Sequence, residues 1–218
     1  MEDPATFPAA VWEVTGSTEA AARLKLFAQR LAAEGELRGL IGPREVGRLW
    51  SRHIVNSLVI VDLLPQEAEV ADVGSGAGFP GVVIAAARPD LRVTLIEPME
   101  RRTRWLEEVV GELGLTNGRV LTARAEQVIG EEEFDVVTAR AVARLDKLIP
   151  WTAPLARPGG KVLALKGERA AREIDEARKG FRRYGVEEAR LHELISPLDG
   201  EVTRVVELLK GRRASGRK

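Results

Sequence analysis

The chain has 218 residues, 44% of them hydrophobic, enough for one substantial core and a domain with an appendage. Its 33 basic and 33 acidic side chains cancel, so there is no global positive field, and a nucleic-acid partner would need local basic patches. There is no cysteine, which excludes disulfides, thiolate metal sites and any cysteine nucleophile, and His53 and His192 are too far apart in sequence to suggest a metal site.

The opening MEDPATFPAA is acidic, carries Pro4 and Pro8, and is expected to be irregular through about residue 15. It lacks the apolar segment of a signal peptide. No apolar run approaches the roughly 20 residues that span a bilayer, so the expectation is a soluble, cytoplasmic protein without membrane contact. From Ser17, STEAAARLKLFAQRLAAEG predicts a helix. Ser17 or Thr18 caps it, Leu24, Phe27, Ala28 and Leu31 recur at helical spacing, and Gly35 stops it. After a turn at Gly42-Pro43 a second helix is expected over Arg44 to Leu64, ended by Pro65. Residues 1–65 are thus read as a helical extension packed on the core, 66–210 as the core domain, and 211–218 as a basic, disordered tail.

Beyond Pro65, short apolar runs alternate with helical patterns. Strands are expected at Val70–Val73, Arg92–Ile96, Arg119–Thr122, Phe134–Thr138 and Gly160–Leu165. Helices are expected at Phe79–Ala87 (with Pro80 in the first turn), Glu100–Leu113, Leu145–Leu155 (with a break at Pro150) and Glu168–Tyr184. Two more strands, near Glu187–Leu194 and Arg204–Leu209, close the chain without a helix between them. The pattern predicts an α/β fold with a mostly parallel, doubly wound sheet and an antiparallel final pair.

The chain is organised around VADVGSGAGFPG, Val70–Gly81. A strand, a glycine-rich turn and a helix start are where such folds bind nucleotide-like ligands. Two patterns overlap in it. Gly76, Gly78 and Gly81 satisfy the dinucleotide pattern G-x-G-x-x-G, which leaves open a nicotinamide-dependent oxidoreductase. Gly74, Gly76 and Gly78, with Asp72 two positions before the first glycine, satisfy the G-x-G-x-G of S-adenosylmethionine sites in Rossmann-like methyltransferases. Glu97, ending the second strand, suits either, because a carboxylate there can accept hydrogen bonds from both ribose hydroxyls. Helices before the first strand and a closing hairpin favour the methyltransferase arrangement, with rRNA or a small molecule as the methyl acceptor.

Four motifs follow in order: W-x-R-H-I-V-N-S-L at Trp50–Leu58 (with Ser51), D-V-G-S-G-A-G-F-P-G at Asp72–Gly81, T-A-R-A-V-A at Thr138–Ala143, and A-L-K-G at Ala164–Gly167. On these the chain resembles the bacterial ribosomal RNA small subunit methyltransferase G family, also called the glucose-inhibited division protein B family. The resemblance implies a Rossmann-like class I S-adenosylmethionine-dependent methyltransferase with an antiparallel last strand and an N-terminal helical extension. It also implies methyl transfer to N7 of one guanine in 16S rRNA of the small ribosomal subunit. A monomer using no metal is expected. The family's cofactor contacts fall here on Gly74, Phe79, Ala125 with Glu126, and Arg140.

Asp72, Gly76, Gly78 and Glu97 complete the expected cofactor site, with Arg140 and Lys166 as the expected catalytic pair. Arg140, at the sheet edge, has five fixed donors for a carboxylate, a phosphate or the O6/N7 edge of guanine. Arg140→Ala is expected to lower methyl transfer far more than thermal stability. Lys166 is read as an RNA or base contact, or else as a solvated strand end. His53 is read as a structural histidine, with substrate contact as the alternative. RNA would be gripped at Arg101, Arg102 and Arg104, at Arg178, Lys179, Arg182 and Arg183, or at the tail with Lys210, Arg212, Arg213, Arg217 and Lys218.

Overall fold

The structure, a computed structural model, describes residues 6–212. The chain opens with α1 (Ala9–Thr15) and α2 (Thr18–Glu34). Helix α1 replaces the irregular start expected from the prolines. Pro8 sits outside it as the N-cap, where a fixed φ does no harm, while Ala10 and Val11 are buried and Gly16 closes it in a left-handed conformation. Ser17 caps α2 as expected, accepting from the Ala20 N–H at 3.2 Å.

The single helix expected over Arg44 to Leu64 is a series of short turns. A 3₁₀ turn (Val46–Arg48) leads into a π-helical turn (Leu49–Val55), then α3 (Asn56–Leu58) and a second 3₁₀ turn (Val61–Leu63). The apolar spacing is helical, but the backbone ladder slips: the Asn56 N–H reaches back to the Ser51 carbonyl as well as to that of His53. The His53 carbonyl accepts in addition from the Ser57 hydroxyl at 2.6 Å and from Arg140 at 3.1 Å, so the π-turn is where the distant arginine meets this segment.

Seven strands follow: β1 (Glu69–Val73), β2 (Arg92–Ile96), β3 (Gly118–Leu121), β4 (Phe134–Arg140), β5 (Ala156–Lys166), β6 (Val186–Ile195) and β7 (Val202–Lys210). Between them lie α4 (Gly81–Ala87), α5 (Glu100–Glu112), α6 (Ala125–Val128), α7 (Leu145–Thr152) and α8 (Ala170–Phe181). They form one sheet in the order β3-β2-β1-β4-β5-β7-β6. β1 to β5 pair in parallel, and β7 runs antiparallel to both β5 and β6. Strand order reverses between β1 and β4, and the carboxyl ends there are where open α/β sheets bind ligands.

The central strands are buried on both faces, so β1 reads as a near-continuous apolar run. On one face Val70, Val93, Leu95 and Val136 share a cluster with α4, α5 and side chains from the first 65 residues, including Leu24, Phe27, Trp50 and Leu58. On the other, Ala71, Val137, Ala139 and Ala164 meet α7 and α8. Pro150 lies inside α7 without breaking it; the buried face of Leu145, Leu148, Ile149 and Thr152 carries the helix through. Pro80 is the N-cap of α4 and not a residue of its first turn. The Asn117 amide reaches the carbonyls of Ala85, Arg88 and Leu91 at 3.0–3.1 Å, tying the end of α4 to the start of β2.

Candidate active site

A cavity of about 550 Å³ opens at the carboxyl ends of β1, β2 and β4, within the range of small-molecule sites. The turn after β1 forms its floor. Gly74 and Gly76 take left-handed φ values of 73° and 53°, which L side chains rarely adopt, and both line the cavity. A Cβ on Gly74 would lie 2.9 Å from Cγ2 of Val142, which overhangs the turn from the segment after β4. Gly78 faces the other way, where a Cβ would lie 2.8 Å from Val82 and 2.9 Å from Phe27.

Asp72 is fully buried beneath the turn, not in the cavity wall. One carboxylate oxygen accepts from the Gly81 N–H at 3.0 Å and the other from the Thr138 hydroxyl at 3.2 Å, so it braces β1 against β4 and α4. Glu97 lines the cavity. Its carboxylate is aimed by the N–H groups of Gly76 at 3.0 Å and Met99 at 3.1 Å, and Arg102 stands 3.8 Å away. Ala125 and Glu126, which open α6, form the opposite wall.

Phe79 lies between the wall and the core, its ring centroid 5.4 Å from that of Phe27. The His53 ring stacks on it at 5.0 Å and 29°, and the Arg140 guanidinium sits 5.0 Å from its centroid. Arg140 is the last residue of β4. Nη1 donates to the His53 carbonyl at 3.1 Å, to Ser57 Oγ at 3.3 Å and to Asn56 Oδ1 at 3.4 Å, and Nη2 contacts His53 Nδ1. The other ring nitrogen of His53 is 2.7 Å from a carboxylate oxygen of Glu45. His53 therefore belongs to the cavity wall and contacts Arg140 directly. Ala141, next in the chain, holds a left-handed φ of 55°, strain at the point where the wall turns away from the sheet.

Lys166 stands apart from this group. Its ammonium donates to the Ala143 carbonyl and pairs with Glu173 at 2.9 Å, and Glu173 also accepts from the Leu145 N–H at 2.8 Å. The lysine is nearly buried and ties the loop after β4 to α8, so it is neither a solvated strand end nor part of the cavity wall. Of the basic patches, Arg102 lines the cavity, as does Arg124, which the sequence reading passed over. Arg101 packs against Gly39, and Arg178 pairs with Asp175. Lys210 donates to the Ala156 carbonyl at 2.6 Å; Arg213, Arg217 and Lys218 lie outside the described residues. Among the described residues, no group of three or more histidines and carboxylates is placed to hold a metal ion, and no helix is long and apolar enough to cross a membrane.

Two buried groups titrate in opposite senses. Burial pushes the Asp72 carboxyl up to about 6, and hydrogen bonds from Ser75, Gly81 and Thr138 with the charge of Arg140 recover only part. Burial, then the charge of Arg140, pushes His53 from 6.5 down to about 4 against the pull of Glu45. Folded Asp72 holds a proton that the unfolded chain has lost, so its contribution is present near pH 4 and gone above about 6. Folded His53 refuses a proton that the unfolded chain binds, so its contribution is present above 6.5 and lost as pH falls toward 4. Each amounts to on the order of 3 kcal/mol, and in the wild type the two largely cancel. Asp72→Asn is therefore expected to show a steeper rise in melting temperature from pH 4 to pH 6.5 than the wild type. Melts at half-unit intervals check this; parallel curves for the two proteins would refute it.

The model of a family described as rRNA small subunit methyltransferase G matches residues 20–199. The ribosomal RNA small subunit methyltransferase G of Beutenbergia cavernae is 53% identical over 182 residues, 84% of this chain and 86% of that protein. The Nocardioides protein of the same name is 56% identical over 159 residues, 73% of this chain and 64% of its own length. Among solved structures, an S-adenosylmethionine-dependent O-methyltransferase from Thermotoga maritima superposes with a TM-score of 0.59 at 16% identity, covering 79% of this chain and 72% of that one. TYW2 from M. jannaschii, in complex with AdoMet, gives 0.59 at 18%, covering 75% and 78%. At such identities these two likenesses speak for the fold alone.

Proposed function

For a chain that belongs to the rRNA small subunit methyltransferase G family, we propose methyl transfer from S-adenosylmethionine to N7 of a guanine in the 16S rRNA of the small ribosomal subunit. The observation that carries this reading is the family match over residues 20–199, which takes in every wall of the cavity. When bound, S-adenosylmethionine supplies a sulfonium methyl: guanine N7 donates its lone pair to form the N–C bond, the C–S pair returns to sulfur, and no proton moves.

The residues fit that cofactor. No side chain could be carried at Gly74 without striking Val142, so a bare backbone is presented to the methionine portion. The Glu97 carboxylate, already aimed by two backbone N–H groups, has lone pairs left for the ribose hydroxyls. Ala125 and Glu126, in the cavity wall, would border the adenine in this reading. Arg140, held over the Phe79 ring with Nη1 and Nη2 on protein acceptors, lines the cavity, and in this reading its remaining N–H groups would meet the incoming base. The site's work is then orientation and charge complementation rather than acid–base chemistry. In keeping with this, both ring nitrogens of His53 are engaged by Arg140 and Glu45, leaving it unavailable to take a substrate proton. The working unit is taken to be a monomer, and the proposed substrate sets the reaction in the cytoplasm.

The test is incubation with methyl-labelled cofactor and small subunits lacking the modification, followed by mapping of the label. One methyl per subunit, at a guanine N7, is expected. Transfer to an exocyclic atom, or transfer indifferent to ribonuclease, would sink the proposal.

A further inference from the structure

We infer that His53 is a positioning residue for Arg140, held in a single tautomer by Glu45, and that the π-helical turn Leu49–Val55 is thereby part of the reaction centre. The inference rests on the methyl-transfer reading above for its kinetic consequence, though not for its geometry.

Arg140 arrives at the end of β4, 87 residues from the turn that receives it. A guanidinium can only donate. Its contact with His53 Nδ1 therefore requires that nitrogen to be unprotonated, which puts the ring proton on Nε2. Nε2 lies 2.7 Å from Glu45 Oε2, a carboxylate that can only accept. Donation thus runs one way, from Arg140 to His53 to Glu45, and the carboxylate at the far end selects the tautomer that the arginine needs. Depression of the imidazole pKa to about 4 agrees, since a neutral ring remains an acceptor throughout the neutral range.

The acceptors around Nη1 are fixed from behind in the same way. Asn56 gives its amide N–H to Thr203 Oγ1 of β7 at 2.6 Å, which turns its oxygen toward Arg140. Ser57 gives its hydroxyl proton to the His53 carbonyl at 2.6 Å, leaving a lone pair for the same guanidinium. His53 and Arg140 then lie together over the ring of Phe79, a residue of the cavity wall. With Nη1 and Nη2 both held, the plane of the fork is set before any substrate arrives, and preorganisation of this kind separates a donor placed for a transition state from one merely nearby.

Two pairs of variants test this in the full-length protein. Asparagine puts an amide oxygen where Nδ1 stands, whereas glutamine reaches the Nε2 position and leaves Nδ1 unreplaced. His53→Gln is expected to lower kcat at least about tenfold, with KM for small subunits and Kd for S-adenosylhomocysteine within about twofold of wild type; His53→Asn should stay within about threefold in kcat. Glu45→Gln keeps an acceptor and should be mild. Glu45→Lys offers Nε2 a donor, forces the proton onto Nδ1 opposite Arg140, and should lose about tenfold in kcat. Equal losses for the asparagine and glutamine variants, or no loss in either, would overturn the inference. Nitrogen-15 shifts of the His53 ring give a readout that needs no substrate: Nδ1 bare and Nε2 protonated supports it, and a proton on Nδ1 overturns it. A wild type with the expected tautomer that methylates no small-subunit RNA would count against the methyl-transfer reading alone.

Discussion

Arg140→Ala is expected to lose activity and stability together. The sequence-based expectation of a nearly pure activity loss assumed a strand-end arginine free to meet substrate. In the structure its Nη1 serves three acceptors from the first 65 residues, and its guanidinium covers the inner edge of the His53 ring. Truncation leaves the Asn56 oxygen and His53 Nδ1 short of a donor in a largely buried place, which outweighs relief from the desolvated charge. The expected destabilisation is about 2–4 kcal/mol, a fall in melting temperature of roughly 5–15 °C for a chain of this size. Activity per folded molecule, measured well below the lowered melting point, should still fall by about a hundredfold or more if the proposed donor to the reacting base is gone. Arg140→Lys restores charge but not the fork, and should recover stability better than rate. An unchanged melting temperature would show that the clamp does not hold the N-terminal turns; unchanged activity per folded molecule would show that Arg140 only holds structure.

The clamp also marks where sequence reasoning stops. β2 falls on Arg92–Ile96 and the cap on Ser17 as read from the residues, because alternation and capping are local signals. Glu97 and the Gly74-Gly76 pair stand where the strand–turn–strand pattern places them, since topology alone brings the ends of β1 and β2 to one edge. By contrast, the π-turn is bound by an arginine far along the chain, and no periodicity within Arg44 to Leu64 could reveal that contact. Lys166 illustrates the reverse error: a strand-end lysine reads as exposed until α8 brings Glu173 beside it. Glu45, next to the turn at Gly42-Pro43, carries no mark of its link to His53. Pairings between distant segments decide these side chains, and such pairings leave no pattern in a single sequence.

Gly81 and Gly111 should answer the same substitution with opposite signs. Gly111 lies near the end of α5, and among the described residues nothing stands within 4 Å of the place a methyl would take. Gly111→Ala is therefore expected to stabilise by roughly 0.5–1 kcal/mol through helix propensity and a less flexible unfolded chain. At Gly81 a Cβ would fall 2.3 Å from Leu95 Cδ2, 2.6 Å from Asp72 Oδ2 and 2.8 Å from Asp72 Cβ. Leu95 could turn its methyl only into a packed interior, and Asp72 is held by β1 itself. The methyl must therefore push α4 from β1 and lengthen the 3.0 Å bond from the Gly81 N–H to a fully buried carboxylate. Overpacking and a weakened buried hydrogen bond together should destabilise by about 3 kcal/mol or more. The damage should not stop at stability, because Asp72 and the Gly74–Gly76 turn are nearly consecutive: a shifted carboxylate moves the cavity floor, and affinity for S-adenosylhomocysteine should fall at least about tenfold in molecules that remain folded. Calorimetric titration of both variants at a temperature where each is folded separates the effects. If Gly81→Ala bound S-adenosylhomocysteine as tightly as Gly111→Ala, the contact between α4 and Asp72 would be a packing detail without influence on the floor of the site.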